Sequence, residues 1–144
     1  MTNKSGKTNN QTLIVFDFDG TLVFEDGTHE DFDVIRQLIQ NGFETSIASR
    51  NDKYHVEHEL DQLEISDLFT YVMADFRPKS YQLKHILWLF SRKGIEFAIV
   101  IFVDDYLPNI ERIKADLPDV ICYQYGVDIS SITSLLQLVE DTRV

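Results

Sequence analysis

Short apolar runs alternate with amphipathic segments along this chain. Two of the runs, 12–18 (TLIVFDF) and 97–103 (FAIVIFV), carry apolar residues on both strand faces, which is typical of central strands covered on both sides. Shorter apolar runs predict three more strands, and apolar residues at helical spacing predict helices in the segments that follow the strands. The predicted strands cover 12–18, 43–48, 69–74, 97–103 and 120–124, and the predicted helices cover 31–41, 53–63, 78–93, 110–114 and 129–140.

The alternation of strands with helices indicates βαβ units and a parallel sheet with helices on both faces. The predicted fold is therefore a three-layer α/β/α sandwich with a central, mainly parallel, Rossmann-like sheet. Such sheets bind their ligands beyond the carboxyl ends of the strands. We expect Trp88, which shares a predicted helix with Ile86 and Phe90, to pack in the core rather than to form a stacking surface.

Composition narrows the class of protein. The chain has 144 residues, one cysteine and a formal net charge of −11. One cysteine excludes an internal disulfide, and no apolar run reaches the roughly 20 residues that a membrane span needs. The acidic charge repels phosphate backbones and argues against nucleic-acid binding. We predict a soluble cytosolic protein with a disordered polar tail at 1–11 and a single domain at 12–144.

Polar side chains follow four of the predicted strands at their carboxyl ends. Several carboxylates that converge there stay ionised only with a cation present, and hard oxygen ligands favour Mg²⁺ over zinc or copper. A lysine and a hydroxyl beside that cation suit an anionic group, and the group implied is a phosphoryl. The residues are Asp17, Asp19 and Thr21 at the end of the first strand, Ser49 and Arg50 after the second, Lys79 after the third, and Asp104 and Asp105 after the fourth.

These residues also match a known family. The string DFDGTL, Asp17 to Leu22, resembles the first motif of the haloacid dehalogenase-like (HAD) phosphatases. The residues at the other three strand ends stand in the order of that superfamily's second, third and fourth motifs, and the resemblance spans 12 to about 126. Ala48-Ser49-Arg50, Pro78-Lys79 and the acidic pair with Asn109 are similar to the magnesium-dependent phosphatase-1 group, which tends to lack Gly20.

The resemblance implies a covalent mechanism on phosphate esters. Asp17 resembles the nucleophile that forms an aspartyl-phosphate, and Asp19 the general acid that later activates water. Thr21 resembles an orienter of the nucleophile loop. Ser49 resembles the hydroxyl that binds the phosphoryl oxygens. Lys79 resembles the lysine that steadies the nucleophile and the transferred group, and it offsets charge in the transition state. Thr21, Ser49, Arg50 and Lys79 are the candidate phosphate-binding residues.

The metal ligands implied by the resemblance are carboxylates. Asp17 would bind Mg²⁺ through its side chain and Asp19 through its backbone carbonyl. Of the acidic pair, we expect Asp105 to bind Mg²⁺ directly and Asp104 to stand behind it, with the order left open. Asn109 is a candidate to bind a water on the metal. Arg50 is equally consistent with a phosphate contact and with a surface ion pair.

The spacing of the motifs predicts an uncapped site. The 29 residues between Asp19 and Ser49, and the 24 between Lys79 and Asp104, are filled by the predicted loop, helices and strands. Neither gap has room for the cap domain that encloses small substrates in many relatives. The site is therefore expected to accept bulky phosphorylated molecules, or to be closed by a partner.

The leading functional hypothesis is a Mg²⁺-dependent phosphomonoesterase with a phosphorylated substrate. A polynucleotide 3′-phosphatase is a second hypothesis, for which a local basic patch of Arg50, Lys53, Arg77 and Lys79 would have to outweigh the acidic net charge. The third is a binding or regulatory domain that keeps the fold without turnover, against which the intact set of acids argues.

Overall fold

The computed structural model describes residues 11–142. The predicted polar tail lies outside this range except for Gln11, whose carbonyl accepts a hydrogen bond from the Ala98 N–H at 3.2 Å. The strands are β1 (Thr12–Phe16), β2 (Glu44–Ser49), β3 (Val72–Ala74), β4 (Ile99–Asp104) and β5 (Ile121–Gln124). The α-helices are α1 (Phe32–Gln40), α2 (Lys53–Gln62), α3 (Lys79–Ser91), α4 (Leu107–Asp116) and α5 (Thr133–Thr142), and a 3₁₀ helix covers Ser66–Leu68.

The five strands form one parallel sheet in the order β3-β2-β1-β4-β5. In this sheet β1 is central, and Ile14 is paired with Thr45 of β2 and with Ile101 of β4. The chain therefore leaves β1 toward one side, through β2 and β3, and returns to the other side for β4 and β5. The predicted parallel three-layer architecture is confirmed.

Alternating side chains of β1 pack against two different helical layers. Ile14 and Phe16 belong to a cluster that includes buried residues of α1, α2 and α5. Leu13 and Val15 belong to a second cluster with buried residues of α3 and α4. All four side chains have no exposed area, as the two-sided apolar run predicts for a central strand.

The connections that flank the site are short. Between β1 and α1 the chain forms a small hairpin, in which Val23 and His29 form an antiparallel bridge. Within residues 11–142, the segments between β1 and β2 and between α3 and β4 hold no inserted domain, as the motif spacing predicts. None of the helices in this range is both long enough and apolar enough to cross a membrane.

Several predicted bounds and one predicted side-chain position differ from the structure. The third strand begins at Val72 rather than at 69, and α5 begins at Thr133 rather than at 129. Helix α4 is longer than predicted, because Pro108 lies in its first turn, where a missing N–H costs nothing. The prediction that Trp88 packs in the core was wrong, since its side chain is 51% exposed. Two residues along a helix turn the side chain by roughly 200°, so Trp88 faces away from the buried Ile86 and Phe90.

Candidate active site

The candidate site lies at the carboxyl ends of β1 and β4, the two adjacent strands from which the chain departs in opposite directions. This is the switch point at which open α/β sheets bind ligands. A cavity of about 380 Å³ opens there. Every sequence-predicted site residue except Thr21 lines it, so that residues from four strand ends are brought together.

The side chain of Lys79 stands at the centre of the site. Its Nζ lies 2.7 Å from Asp17 Oδ1 and 2.8 Å from Asp104 Oδ2, and the side chain is 1% exposed. Burial alone would lower the pKa of Lys79, but the carboxylates of Asp17 and Asp104 raise it above its usual value. Lys79 is therefore a buried, charged ammonium group that holds the ends of β1 and β4 together.

Strand alternation explains why these groups meet. Val15 of β1 and Phe102 of β4 both pack in the cluster under α3 and α4. Asp17 and Asp104 each follow two residues later, so they continue the same face. Lys79 begins α3 on that face, and its Nζ is 5.6 Å from the centre of the Phe102 ring.

Asp17 is buried next to other acids. Thr21 does not line the cavity but donates a hydrogen bond from Oγ1 to Asp17 Oδ2 at 3.2 Å. Burial raises the pKa of Asp17 to about 8; Lys79 opposes that rise and Asp104 adds to it. At neutral pH this carboxyl therefore needs further positive charge to ionise fully.

The two acids at the end of β4 differ in their surroundings. Asp104 has no exposed area, and its Oδ1 accepts from the backbone N–H of Tyr106 at 2.9 Å. Its Oδ2 accepts from Lys79 and, at 3.1 Å, from Nδ2 of Asn109. Asp105 is exposed at the cavity, and burial of part of its carboxyl raises its pKa. Both acids line the cavity, but of this pair only Asp105 is exposed there.

Asp19 is held by a residue to which sequence analysis assigned no role. Its Oδ2 accepts a hydrogen bond from Nδ2 of Asn51 at 2.8 Å, and Asp19 is exposed at the cavity. The signal available in the sequence was the polar triplet Ser49 to Asn51 after β2, of which only the first two members were singled out.

A buried glutamine supports the phosphate-binding side of the site. The side chain of Gln82, fully buried in α3, donates from Nε2 to the Ser49 carbonyl at 2.8 Å and to the Asp75 carboxylate at 3.0 Å. It therefore links the chain segments that follow β2 and β3. Arg50 donates from Nη2 to the carbonyl of Phe76 at 3.0 Å and forms no ion pair within residues 11–142.

The donor set fits a hard divalent cation. Asp17, Asp104 and Asp105 each present a carboxylate oxygen, and these atoms lie within 4.8 Å of one another. One ammonium group, that of Lys79, cannot balance three carboxylates. Burial, first of all, and then the neighbouring Asp104 carboxylate raise the pKa values of Asp17 and Asp105. Oxygen ligands without histidine or cysteine suit Mg²⁺.

Part of the chain is similar to a known family. Residues 14–75, a little under half of the chain, match the haloacid dehalogenase-like hydrolase family. This match covers DFDGTL and Ser49, but not Lys79 or the acidic pair, and it confirms the predicted resemblance to that family. No curated protein matches the chain. The narrower resemblance to the magnesium-dependent phosphatase-1 group stays a prediction.

Solved structures show the same fold at low sequence identity. One is the N-terminal part of a Bacteroides fragilis protein that contains a phosphatase domain and is complexed with Mg. Its TM-score is 0.66 and its sequence identity is 14%. The alignment covers 83% of this chain, but only 37% of the Bacteroides chain. A second is the 3-deoxy-D-manno-octulosonate 8-phosphate phosphatase of Moraxella catarrhalis, in complex with a magnesium ion, a phosphate ion and a KDO molecule. Its TM-score is 0.56 and its sequence identity is 16%. The alignment covers 91% of this chain and 86% of the Moraxella chain. A third is the core domain of a proposed phosphoglycolate phosphatase from Streptococcus pneumoniae, with a TM-score of 0.68 and 13% identity. The alignment covers 92% of this chain and 98% of the Streptococcus chain.

Proposed function

We propose, on the premise of a haloacid dehalogenase-like family match and fold, that this protein is a phosphomonoesterase that acts through an aspartyl-phosphate at Asp17. The observation that carries the proposal is the buried Lys79 ammonium between Asp17 and Asp104, with Asp105 beside them at the open cavity. A buried carboxylate next to a fixed cation, at the mouth of a cavity, is suited to attack an anionic group.

In the first step, an oxygen of Asp17 attacks the phosphorus of the monoester. A bond forms between that oxygen and phosphorus while the bond from phosphorus to the leaving oxygen breaks. Asp19 donates its proton to the leaving oxygen, so that the alcohol departs neutral. Lys79 balances negative charge as it builds up on the phosphoryl oxygens.

In the second step, the aspartyl-phosphate is hydrolysed. Asp19, now a carboxylate, accepts a proton from a water molecule as the water oxygen bonds to phosphorus. The bond between phosphorus and Asp17 breaks, which restores the Asp17 carboxylate and releases phosphate. Asn51 orients Asp19 for both steps by its hydrogen bond to Oδ2.

The metal proposed for this site is Mg²⁺. The side chains of Asp17 and Asp105 and the backbone carbonyl of Asp19 would hold it, with Asp104 behind them, because the oxygens of Asp104 already accept from Lys79, Asn109 and Tyr106. When bound, Mg²⁺ supplies positive charge to the carboxylates and to the phosphoryl oxygens. Lys79, Ser49 and Arg50 are the proposed phosphate-binding side chains.

Hydrolysis of p-nitrophenyl phosphate tests this proposal. We expect turnover with Mg²⁺, loss of turnover with excess EDTA, and a fall of about 10³-fold or more in kcat for Asp17→Asn. Asp67→Asn, which changes an exposed acid far from the cavity, is the matched control and should retain full activity. Turnover that survives both EDTA and Asp17→Asn would refute the mechanism, and a complete lack of turnover would favour the binding-domain hypothesis.

The polynucleotide hypothesis is not favoured by the surroundings of the basic patch. Lys79 is buried between two carboxylates, and Arg77 lies 2.6 Å from Asp75. Arg50 is bonded to a backbone carbonyl, and Lys53 lies near Glu57. Comparing a 3′-phosphorylated oligonucleotide with a sugar phosphate as substrates separates the two enzyme hypotheses. The cytosolic location stays a prediction from the sequence.

A further inference from the structure

Two bare aromatic rings stand in the wall of the catalytic cavity. Phe76 and Tyr106 line the same cavity as Asp17 and Asp19, and they are 67% and 58% exposed. Large apolar side chains in this position leave area that a ligand could cover. Neither ring takes any part in the chemistry proposed for the site.

The backbones that carry these rings are fixed to the site. The carbonyl of Phe76 accepts from the Arg50 guanidinium at 3.0 Å, and Phe76 lies three residues before Lys79. The backbone N–H of Tyr106 donates to Asp104 Oδ1 at 2.9 Å. A ring on an anchored backbone loses little freedom when a ligand covers it, which favours binding.

Exposed aromatic rings elsewhere in the molecule already have partners. The Arg92 guanidinium lies 5.0 Å from the Trp88 ring, and Tyr54 stacks on His58. Within residues 11–142, the rings of Phe76 and Tyr106 neither stack on another ring nor lie under a cation, and no inserted domain covers them. The leaving group of the substrate is the component of the reaction that would reach these rings.

We propose that Phe76 and Tyr106 determine specificity by binding a flat apolar ring in the alcohol portion of the phosphate monoester. This inference rests on the proposed phosphomonoesterase function. With the phosphoryl group bound at Lys79 and Asp105 as proposed, the alcohol portion is left the rest of the cavity, whose lining includes Asp19 and the two rings. Aromatic faces bind other rings more strongly than they bind flexible chains, since stacking adds to the area that is buried.

Benzyl phosphate and propyl phosphate form the test pair, because their alcohols leave with similar acidity and differ in the ring. We expect KM for benzyl phosphate to be lower by about tenfold, with similar kcat. Phe76→Ala and Tyr106→Ala should each raise KM for benzyl phosphate several-fold, because each removes one aromatic contact with the substrate. KM for propyl phosphate should stay unchanged. Phe76→Tyr and Tyr106→Phe, which keep an aromatic ring at each position, should retain the lower KM for benzyl phosphate.

Tyr54→Ala is the matched control, since Tyr54 is 79% exposed on α2 and does not line the cavity. Its KM values should stay at those of the wild type. Equal KM for the two esters in the wild type would overturn the inference, as would variants that raise both KM values alike.

Binding of benzylphosphonate and propylphosphonate, measured by calorimetry with Mg²⁺ present, separates the two possible failures. Tighter binding of benzylphosphonate that Phe76→Ala abolishes, without turnover of any ester, would keep the ring site and refute the phosphomonoesterase. Equal binding of both phosphonates, with turnover of both esters at equal KM, would refute the ring site alone.

Discussion

At the scale of single residues, Gly20 shows how little space the site leaves. Its φ is +83°, a conformation that side chains rarely adopt, and a methyl group at this position would overlap the carboxylate of Asp105. The DFDG string therefore needs glycine for the turn and for the approach of Asp105.

Gly20→Ala should weaken metal binding because it displaces the Asp105 carboxylate. Gly27→Ala is the matched control, since Gly27 has a φ of +86° and open space around it. Both variants should lose on the order of 1 kcal/mol of unfolding free energy from backbone strain. Only Gly20→Ala should raise the Mg²⁺ concentration needed for half-maximal activity, and equal Mg²⁺ dependence in both variants would contradict this role.

Lys79→Met should destabilise the protein in a pH-dependent way. Removing the buried ammonium leaves two buried carboxylates unpaired, which costs roughly 3–5 kcal/mol. The pKa of Asp17 is already raised to about 8, and loss of Lys79 removes the interaction that lowers it. A carboxyl whose pKa is higher in the folded state than in the unfolded state lowers the free energy of unfolding as pH rises from the unfolded pKa toward the folded one.

Urea unfolding in EDTA checks this sign. The difference in unfolding free energy between Lys79→Met and the wild type should be larger at pH 8 than at pH 5. Glu96→Met, a change of one exposed charge outside the site, should show no such trend. A difference that is constant across this range would contradict the assigned charge states.

At the scale of helices and strands, the pattern of apolar residues predicts most of what positions the site. The two-sided apolar runs of β1 and β4 locate the sheet centre, and alternation along them accounts for Asp17 and Asp104 meeting under α3. Side-chain contacts of Asn51 and Gln82 depend on how loops and α3 pack together. No periodicity encodes those contacts, so the sequence does not reveal them. Trp88 is exposed because helical spacing places it opposite the buried Ile86 and Phe90, although an aromatic side chain by itself favours the core.

Gln82→Leu should affect both stability and substrate binding, because Gln82 joins the segments after β2 and β3. The variant removes one of the two hydrogen bonds to the Ser49 carbonyl, the other coming from the Asp75 backbone N–H, at a cost of about 0.5–1.5 kcal/mol. The displaced Ser49 should raise KM for p-nitrophenyl phosphate more than it lowers kcat. Gln62→Leu, at an exposed position of α2, is the control. An unchanged KM in a destabilised Gln82→Leu would assign Gln82 a purely structural role.

At the scale of the whole molecule, the acidic net charge opposes binding of the proposed substrate, whereas the open site lets salt screen that repulsion. The chain carries a net charge of −11, while its proposed substrate is a dianion. The absence of an inserted domain in residues 11–142 leaves the cavity in contact with solvent, where added salt screens that repulsion.

Salt should therefore accelerate association. At saturating Mg²⁺, kcat/KM for p-nitrophenyl phosphate should rise on the order of twofold as NaCl increases from about 20 to 200 mM, because the Debye length shortens toward the size of the site. KCl should have the same effect, which excludes a specific ion. A fall in kcat/KM with either salt would indicate that the local charge of the site, rather than the net charge, controls the encounter.

The central claim is that the phosphoryl group is transferred to Asp17. Rapid mixing of the enzyme and Mg²⁺ with ³²P-labelled phosphomonoester, followed by acid quenching and peptide mapping, tests this claim most directly. The account predicts a label on the peptide that contains Asp17, formed before phosphate is released and absent in Asp17→Asn. Steady turnover without any labelled peptide, or a label on a different residue, would contradict it.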